Sequence, residues 1–289
     1  MLFLQPETLD EALAARAAHP EALPIAGGTD VCVALNLDHG RPQGLLDLTR
    51  LTELRHHHRD DGSVVLGAGV NYTRLITELS VELPGLALAS RSVGSPQIRN
   101  RGTVGGNLGT ASPAGDALPP LVAAGATVEV ASLQGRRDIA VSDFVLRPKH
   151  SALRPDELIV AVRIPVARGP QQFAKIGTRN AMVIAVAAFA LAIDTVGRTV
   201  GTGIGSAGPV PLTADAANDF LSGVFTEGGL WERPEPLADS AITRFGELVG
   251  DAAQPIDDVR GTAAYRRHAL QVLARRTLTW AWAEHLEKR

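Results

Sequence analysis

A chain of 289 residues is longer than one hydrophobic core usually serves, so two domains are expected. Its 45% hydrophobic and 20% charged residues are typical of a globular protein, and a net charge of −3 with scattered lysines and arginines excludes a nucleic-acid-binding surface. The single cysteine, Cys32, excludes an internal disulfide, a four-cysteine zinc site and an iron–sulfur cluster held by this chain alone.

The opening MLFLQPETLDEALAARAAHP lacks a basic leader and does not read as a signal peptide. Thr8 and Glu11 form a capping box, and Leu9, Ala12, Leu13 and Ala17 follow at helical spacing, which predicts a first helix closed by Pro20. A short strand over Leu23–Ala26 comes next, then a glycine turn and an element opening near Thr29 and Asp30. GLLDL is a further short strand, and Asp60–Gly62 turns a hairpin into SVVLGAG. Helices are expected near 73–79 and 86–93. The stretch GTVGGNLGTASPAGD, from Gly102 to Asp116, holds five glycines, each costing roughly 0.5–1 kcal/mol inside a regular element. It is expected to be an irregular loop. DALPPLVAAGA is a short helix, ATVEVAS and RRDIAV flank LQG as a hairpin, and ELIVAVRIP is a strand ended by Pro165. ARGP (Ala167–Pro170) marks a domain boundary. Beyond it lie FAKIGTR, a strand over Ala181–Ile193, the loop-like GIGSAG and a long terminal helix with Leu270, Leu273, Thr277 and Trp280 on one face. The run Ala181–Ile193 is too short to cross a bilayer as a helix, so no membrane association and a cytoplasmic location are expected. Strands and helices mix without regular βαβα alternation, so the fold class is α+β.

Two glycine motifs are candidates for chemistry. AGGTD (Ala26–Asp30) follows an apolar strand; it is either a tight turn with Thr29 or Asp30 as helix N-cap, or a nest of backbone N–H groups for a phosphate. The Gly102–Asp116 cluster, flanked by Arg99 and Arg101, is either an irregular structural loop or a second nest, with Asp116 placed to accept from ribose hydroxyls. Two nests in one half of the chain favour a ligand with two phosphates. GIGSAG (Gly203–Gly208) matches a dinucleotide fingerprint only superficially, because Pro209 and Pro211 forbid the helix it requires. His56, His57 and His58 lack a third ligand on one strand face and read as a solvated strand, so no metal site is expected. No Ser–His–Asp or Cys–His set is found, so no catalytic side chain is assigned.

PIAGGTDV together with IRNRGTVGGNLGTASPAGDALPPL resembles the FAD-binding subunit of the molybdenum hydroxylases, which include xanthine, carbon monoxide, aldehyde, nicotine and quinoline dehydrogenases. RPDELIVAVRIP (Arg154–Pro165), FAKIGTRNAMVIA (Phe173–Ala185) and DDVRGTAAYRRH (Asp257–His268) extend the likeness over nearly the whole chain. The resemblance implies an FAD-binding domain of the PCMH/vanillyl-alcohol-oxidase type over residues 1–170, with subdomains of about 1–55 and 56–170, then an α+β domain over 171–289. It implies that Pro24, Ile25, Ala26, Gly27, Gly28, Thr29, Asp30 and Val31 wrap the FAD pyrophosphate, with Thr103, Val104, Gly105, Gly106 and Asn107 as the second cradle. Thr110 and Ser112 join the cofactor contacts, Asp116 binds the adenosine-side ribose, Ile159 lines the adenine or flavin pocket, and Lys175 lies near the isoalloxazine. FAD is expected to be non-covalent, with NAD⁺ as a possible electron acceptor. Molybdopterin and [2Fe–2S] belong to a large and a small partner subunit, in a dimer of heterotrimers. Cys32 alone disfavours the branch of the family that carries an extra iron–sulfur cluster in a cysteine-rich insertion. A stand-alone FAD-dependent reductase of the same fold and a non-catalytic interaction protein are the alternatives.

Overall fold

The computed structural model describes residues 1–38 and 40–288. The first unit is a small parallel sheet, built from β1 (Leu2–Leu4), α1 (Leu9–Ala18), β2 (Ala22–Ile25), α2 (Val31–Asn36) and β3 (Gly44–Asp47) in strand order β1-β3-β2. Thr8 Oγ1 accepts the N–H of Glu11 at 3.2 Å, and Glu11 reaches back to the N–H of Glu7, so the predicted cap starts α1. α1 buries Ala12 and Leu13 against Leu46, Leu51 and Leu54, and this core also takes in Ala131, Leu158 and Val160 from the next sheet. The C-terminal end of β2 delivers the chain into the first glycine turn. Ligands commonly sit at such ends of parallel strands.

A five-stranded antiparallel sheet follows, in order β4-β5-β10-β6-β7, from β4 (His57–Asp60), β5 (Ser63–Gly67), β6 (Thr127–Ser132), β7 (Gly135–Ala140) and β10 (Leu158–Pro165). Asp61 and Gly62 both take positive φ, 43° and 71°, as a two-residue hairpin turn between β4 and β5 requires. Between β5 and β6 run five short helices: α3 (Tyr72–Glu78), α4 (Pro84–Arg91), α5 (Pro96–Arg101), α6 (Val104–Thr110) and α7 (Leu118–Ala123). Their apolar sides, including Leu75, Leu86, Leu108 and Leu121, cover Val64, Leu66, Val128, Val130 and Val162 of the sheet. A single turn α8 (Val141–Phe144) and the β8 (Val145–Arg147) and β9 (His150–Ser151) pair lead back to β10.

The last unit is an antiparallel sheet of β11 (Gln171–Ile176), β12 (Ala187–Asp194) and β13 (Thr199–Gly205), with α9 (Asp215–Glu227), α10 (Asp239–Ala252) and α11 (Ala263–Glu287). β12 is buried on both faces. Ala187, Phe189, Leu191 and Ile193 meet the three helices, while Ala188 and Ala190 meet Ala89 of α4 and Ala123 of α7. That two-sided burial explains its near-continuous apolar sequence. Among the described residues no helix is long and apolar enough to cross a membrane.

The structure corrects several sequence expectations. The glycine cluster is not wholly irregular: Thr103 caps α6 through the N–H of Gly106 at 2.9 Å, and Val104 and Leu108 are fully buried beneath it. GSPQIRNRG also contains a helix, α5, with Ser95 as cap and Pro96 in its first turn. The strand expected from Ala181 starts only at Ala187, because Lys175 and Arg179 bind the carbonyls of Ala181, Met182 and Val183 and hold that stretch as a loop. The first half of the supposed GIGSAG loop, Gly203–Gly205, is the end of strand β13. On α11 the buried side is Leu270, Ala274, Thr277, Leu278, Ala281 and Trp282; Trp280 faces outward at 48% exposure. Of the three histidines, His57 is half-buried and bonds Glu78 at 2.9 Å, while His56 and His58 are exposed.

Candidate functional site

The two glycine motifs meet. Gly27 packs so closely on α5 that a Cβ there would lie 2.0 Å from the Arg101 carbonyl oxygen. Gly28 takes φ +74°, a left-handed conformation that disfavours other residues. Asp30 precedes α2 but does not cap it; its Oδ2 instead accepts from Thr110 Oγ1 at 2.7 Å, which ties the first turn to the last turn of α6. Gly105 lies against Ala68 at the end of β5, where a Cβ would come within 2.6 Å. Among the described residues, the N–H groups of Gly27, Gly28, Thr29 and Asp30 have no acceptor, and those of Val104 and Gly105, at the start of α6, have none within their helix. Six donors thus lack a protein partner.

Five of these six residues, Gly27, Gly28, Thr29, Asp30 and Gly105, line a cavity of ≈ 590 Å³, within the roughly 300–1,000 Å³ typical of small-molecule sites. Of the residues expected at the site, Pro24, Ala26, Gly27, Gly28, Thr29, Asp30, Val31, Thr103, Gly105, Gly106, Asn107, Thr110 and Ile159 line it. Ile25 and Val104 do not; Ile25 lies beneath Gly28, and Val104 belongs to the core. Ser112 is outside the wall and accepts the N–H of Ala114 at 3.3 Å. Asp116, expected on the adenosine-side ribose, is also outside the wall. Its Oδ2 accepts from Lys175 Nζ at 2.6 Å, and burial pushes its carboxyl up despite that cation. Lys175, which also reaches the carbonyls of Ser92 (3.0 Å) and Val183 (3.2 Å), lines a second cavity of ≈ 530 Å³. That cavity lies between α4 and α5 on one side and β11 with the 177–183 loop on the other. Ser92, Gly94 and Ser95 wall it, while Val93 and Ile98 wall the first, so one short segment borders both.

Sequence reasoning missed Arg16, Tyr72 and the Lys149–Glu157 segment, all in the first cavity's wall. Glu157 fixes that segment: both its oxygens accept from Arg137 at 2.7 Å, and Oε2 also accepts the N–H of Arg154 at 2.7 Å. The Arg137 hydrogen bonds hold the Glu157 carboxyl below the usual range. The sequence shows Glu157 within RPDEL but not its arginine partner, which lies on another strand. Arg16 Nε, Tyr72 Oη and Asn107 Oδ1 are buried and unpartnered among the described residues, and all three residues line the first cavity. A free cradle of N–H groups beside unsatisfied polar atoms fits a polar, diphosphate-bearing ligand.

A model of the FAD binding domain in molybdopterin dehydrogenase matches residues 1–167. The chain belongs to the FAD-binding subunits of the molybdenum hydroxylases. Residues 172–281 of this subunit match the carbon monoxide dehydrogenase flavoprotein C-terminal domain. Among curated relatives, it is 28% identical over 282 residues to the nicotinate dehydrogenase FAD-subunit of Eubacterium barkeri, covering 93% of this chain and 92% of that one. It is 29% identical over 266 residues to the carbon monoxide dehydrogenase medium chain of Hydrogenophaga pseudoflava, covering 90% and 88%. Among solved structures, a chain of the reconstituted carbon monoxide dehydrogenase from Oligotropha carboxidovorans superposes with a TM-score of 0.89 at 27% identity, covering 98% of each chain. This FAD subunit is part of an oxidoreductase, and FAD is its cofactor.

Proposed function

We propose that this chain is the electron-transfer subunit of a three-part molybdenum hydroxylase. In this reading electrons arrive singly from a [2Fe–2S] subunit and leave in pairs to NAD⁺ or another acceptor, while a molybdenum subunit oxidises a purine, an aldehyde, carbon monoxide or an N-heterocycle. FAD, when bound, supplies a centre able to take electrons one at a time and release two. The observation carrying the reading is the meeting of the two glycine motifs on one cavity, with the backbone donors of five residues in its wall free. Gly27–Asp30 and Val104–Gly105 are assigned to the diphosphate and Ile159 to the adenine or flavin pocket. Asp116 and Lys175, placed by their ion pair beside the second cavity, are assigned to the flavin side. The Asp116 assignment replaces the adenosine-side ribose expected from sequence.

With Cys32 as its one cysteine, the chain cannot hold an iron–sulfur relay, which supports separate partner subunits. We assign residues 1–170 to the FAD-binding domain and 171–289 to the C-terminal domain, and the assembly to a cytoplasmic dimer of heterotrimers. The test is hydroxylation. The FAD-loaded chain alone is expected to leave purines, aldehydes and N-heterocycles unoxidised, and co-expression with molybdenum and iron–sulfur subunits is expected to restore the activity. Hydroxylation by the isolated, metal-free chain would contradict the reading.

A further inference from the structure

Beside the second glycine motif, Tyr72 Oη, Asn107 Oδ1 and Asp116 Oδ1 are all buried and unpartnered among the described residues. They come from three places in the fold. Tyr72 opens α3, gives its N–H to Gly102 at 3.1 Å, and is only 2% exposed. Asn107 lies in the middle of α6, and Asp116 in the turn before α7. Tyr72 and Asn107 wall the first cavity, and Asp116 is bonded to Lys175 in the wall of the second. A ligand in the first cavity therefore meets Tyr72 and Asn107, and Asp116 stands beside the lysine that walls the second.

Their chemistry selects what binds. Tyr72 offers a donor, while Asn107 Oδ1 and Asp116 Oδ1 offer acceptors. Burial and the nearby carboxylates of Asp116 and Asp30 push the Tyr72 phenol far up, so it stays a neutral donor. An ionised phosphate only accepts and would leave both acceptors unmet, whereas a hydroxyl donates and accepts at once. One donor with two acceptors therefore suits a run of hydroxyls. Building on the FAD reading above, we infer that Tyr72 is a positioning residue for the ribityl chain. Its hydroxyl donates to one ribityl hydroxyl, while Asn107 and Asp116 accept from others, and together they set how far the flavin ring reaches into the second cavity.

The test titrates the full-length apoprotein separately with FAD and with ADP, which carries the diphosphate but no ribityl chain. Tyr72→Phe keeps the ring that packs on Gly102 and removes only the hydroxyl. It is expected to weaken FAD binding by about 3- to 10-fold, the range for one hydrogen bond, and to leave ADP binding unchanged. Asn107→Ala, tested in the same way, is expected to show the same split and serves if Tyr72→Phe does not fold. Unchanged FAD affinity in a folded variant would overturn the inference, and so would an equal loss for ADP. Failure of the wild-type chain to bind FAD would instead overturn the FAD reading itself.

Discussion

Glu157 shows how one side chain shapes the cavity from behind. Its bonds to Arg137 and to the Arg154 N–H pin the 149–157 segment to β7, and Arg137 also holds the Ala152 carbonyl at 2.8 Å. The folded carboxyl is held below its ordinary value of 4.5, so on acidification the unfolded chain takes up its proton first. The stabilisation is therefore fully present above that value and is lost as pH falls through the lower, folded one. Glu157→Gln should cost about 1.5–3 kcal/mol at neutral pH, the range for hydrogen bonds to a charged group, and the gap from wild type should shrink below the ordinary value. Urea unfolding at both pH values checks this; a gap independent of pH would contradict it. The motif glycines also separate at this scale. Gly27 yields to the Arg101 carbonyl, Gly105 to Ala68, and Gly28 to a positive φ, while Gly106 would meet only Thr103 Oγ1, at 3.1 Å. Sequence displays the glycines, but not which of them serves the protein and which the ligand.

The same limit explains the misread elements. Gly201, Gly203 and Gly205 alternate along β13, and a Cβ at the first two would lie 2.1 Å from the Ala123 oxygen and 1.9 Å from the Pro119 oxygen. These glycines exist because the backbone of α7 lies directly on the strand, and nothing local in TVGTGIG reveals that helix. Gly203→Ala is accordingly expected to destabilise the protein by roughly 1–3 kcal/mol through overpacking, read as a lower denaturation midpoint. A midpoint equal to that of wild type would mean that α7 does not pack as described. Elements with a local signal were legible: the Thr8 cap, the Asp61–Gly62 turn, and the paired strands on either side of Leu133–Gln134. α6 was not, since its helical state depends on the Thr103 cap and on burying Val104 and Leu108, against the poor propensity of its glycines. On α11, Trp282 rather than Trp280 enters the core, stacking on Phe225 at 4.5 Å and bonding the Glu235 carbonyl. A helix with charges on most sides carries too weak a period to choose between them.

At the scale of the whole molecule, the three units contribute to one pair of cavities. The first sheet supplies the opening glycine turn, the helices of the middle unit supply the second, and β11 supplies Lys175, whose ion pair with Asp116 joins the last unit to the middle one. The motifs were legible because backbone cradles need glycine at fixed places. Arg16, Tyr72 and the division into two cavities were not, because they arise only when distant elements pack together. The most direct measurement is FAD uptake by the apoprotein, comparing wild type with Gly106→Val, whose side chain would enter the cavity beside free space and so spare the fold. Wild type is expected to take up one FAD per chain and release it to the supernatant on acid precipitation, with the variant folded but at least ~100-fold weaker, about 2.7 kcal/mol. A folded wild-type chain that takes up no FAD, or a folded variant that binds as tightly, would contradict the site described here.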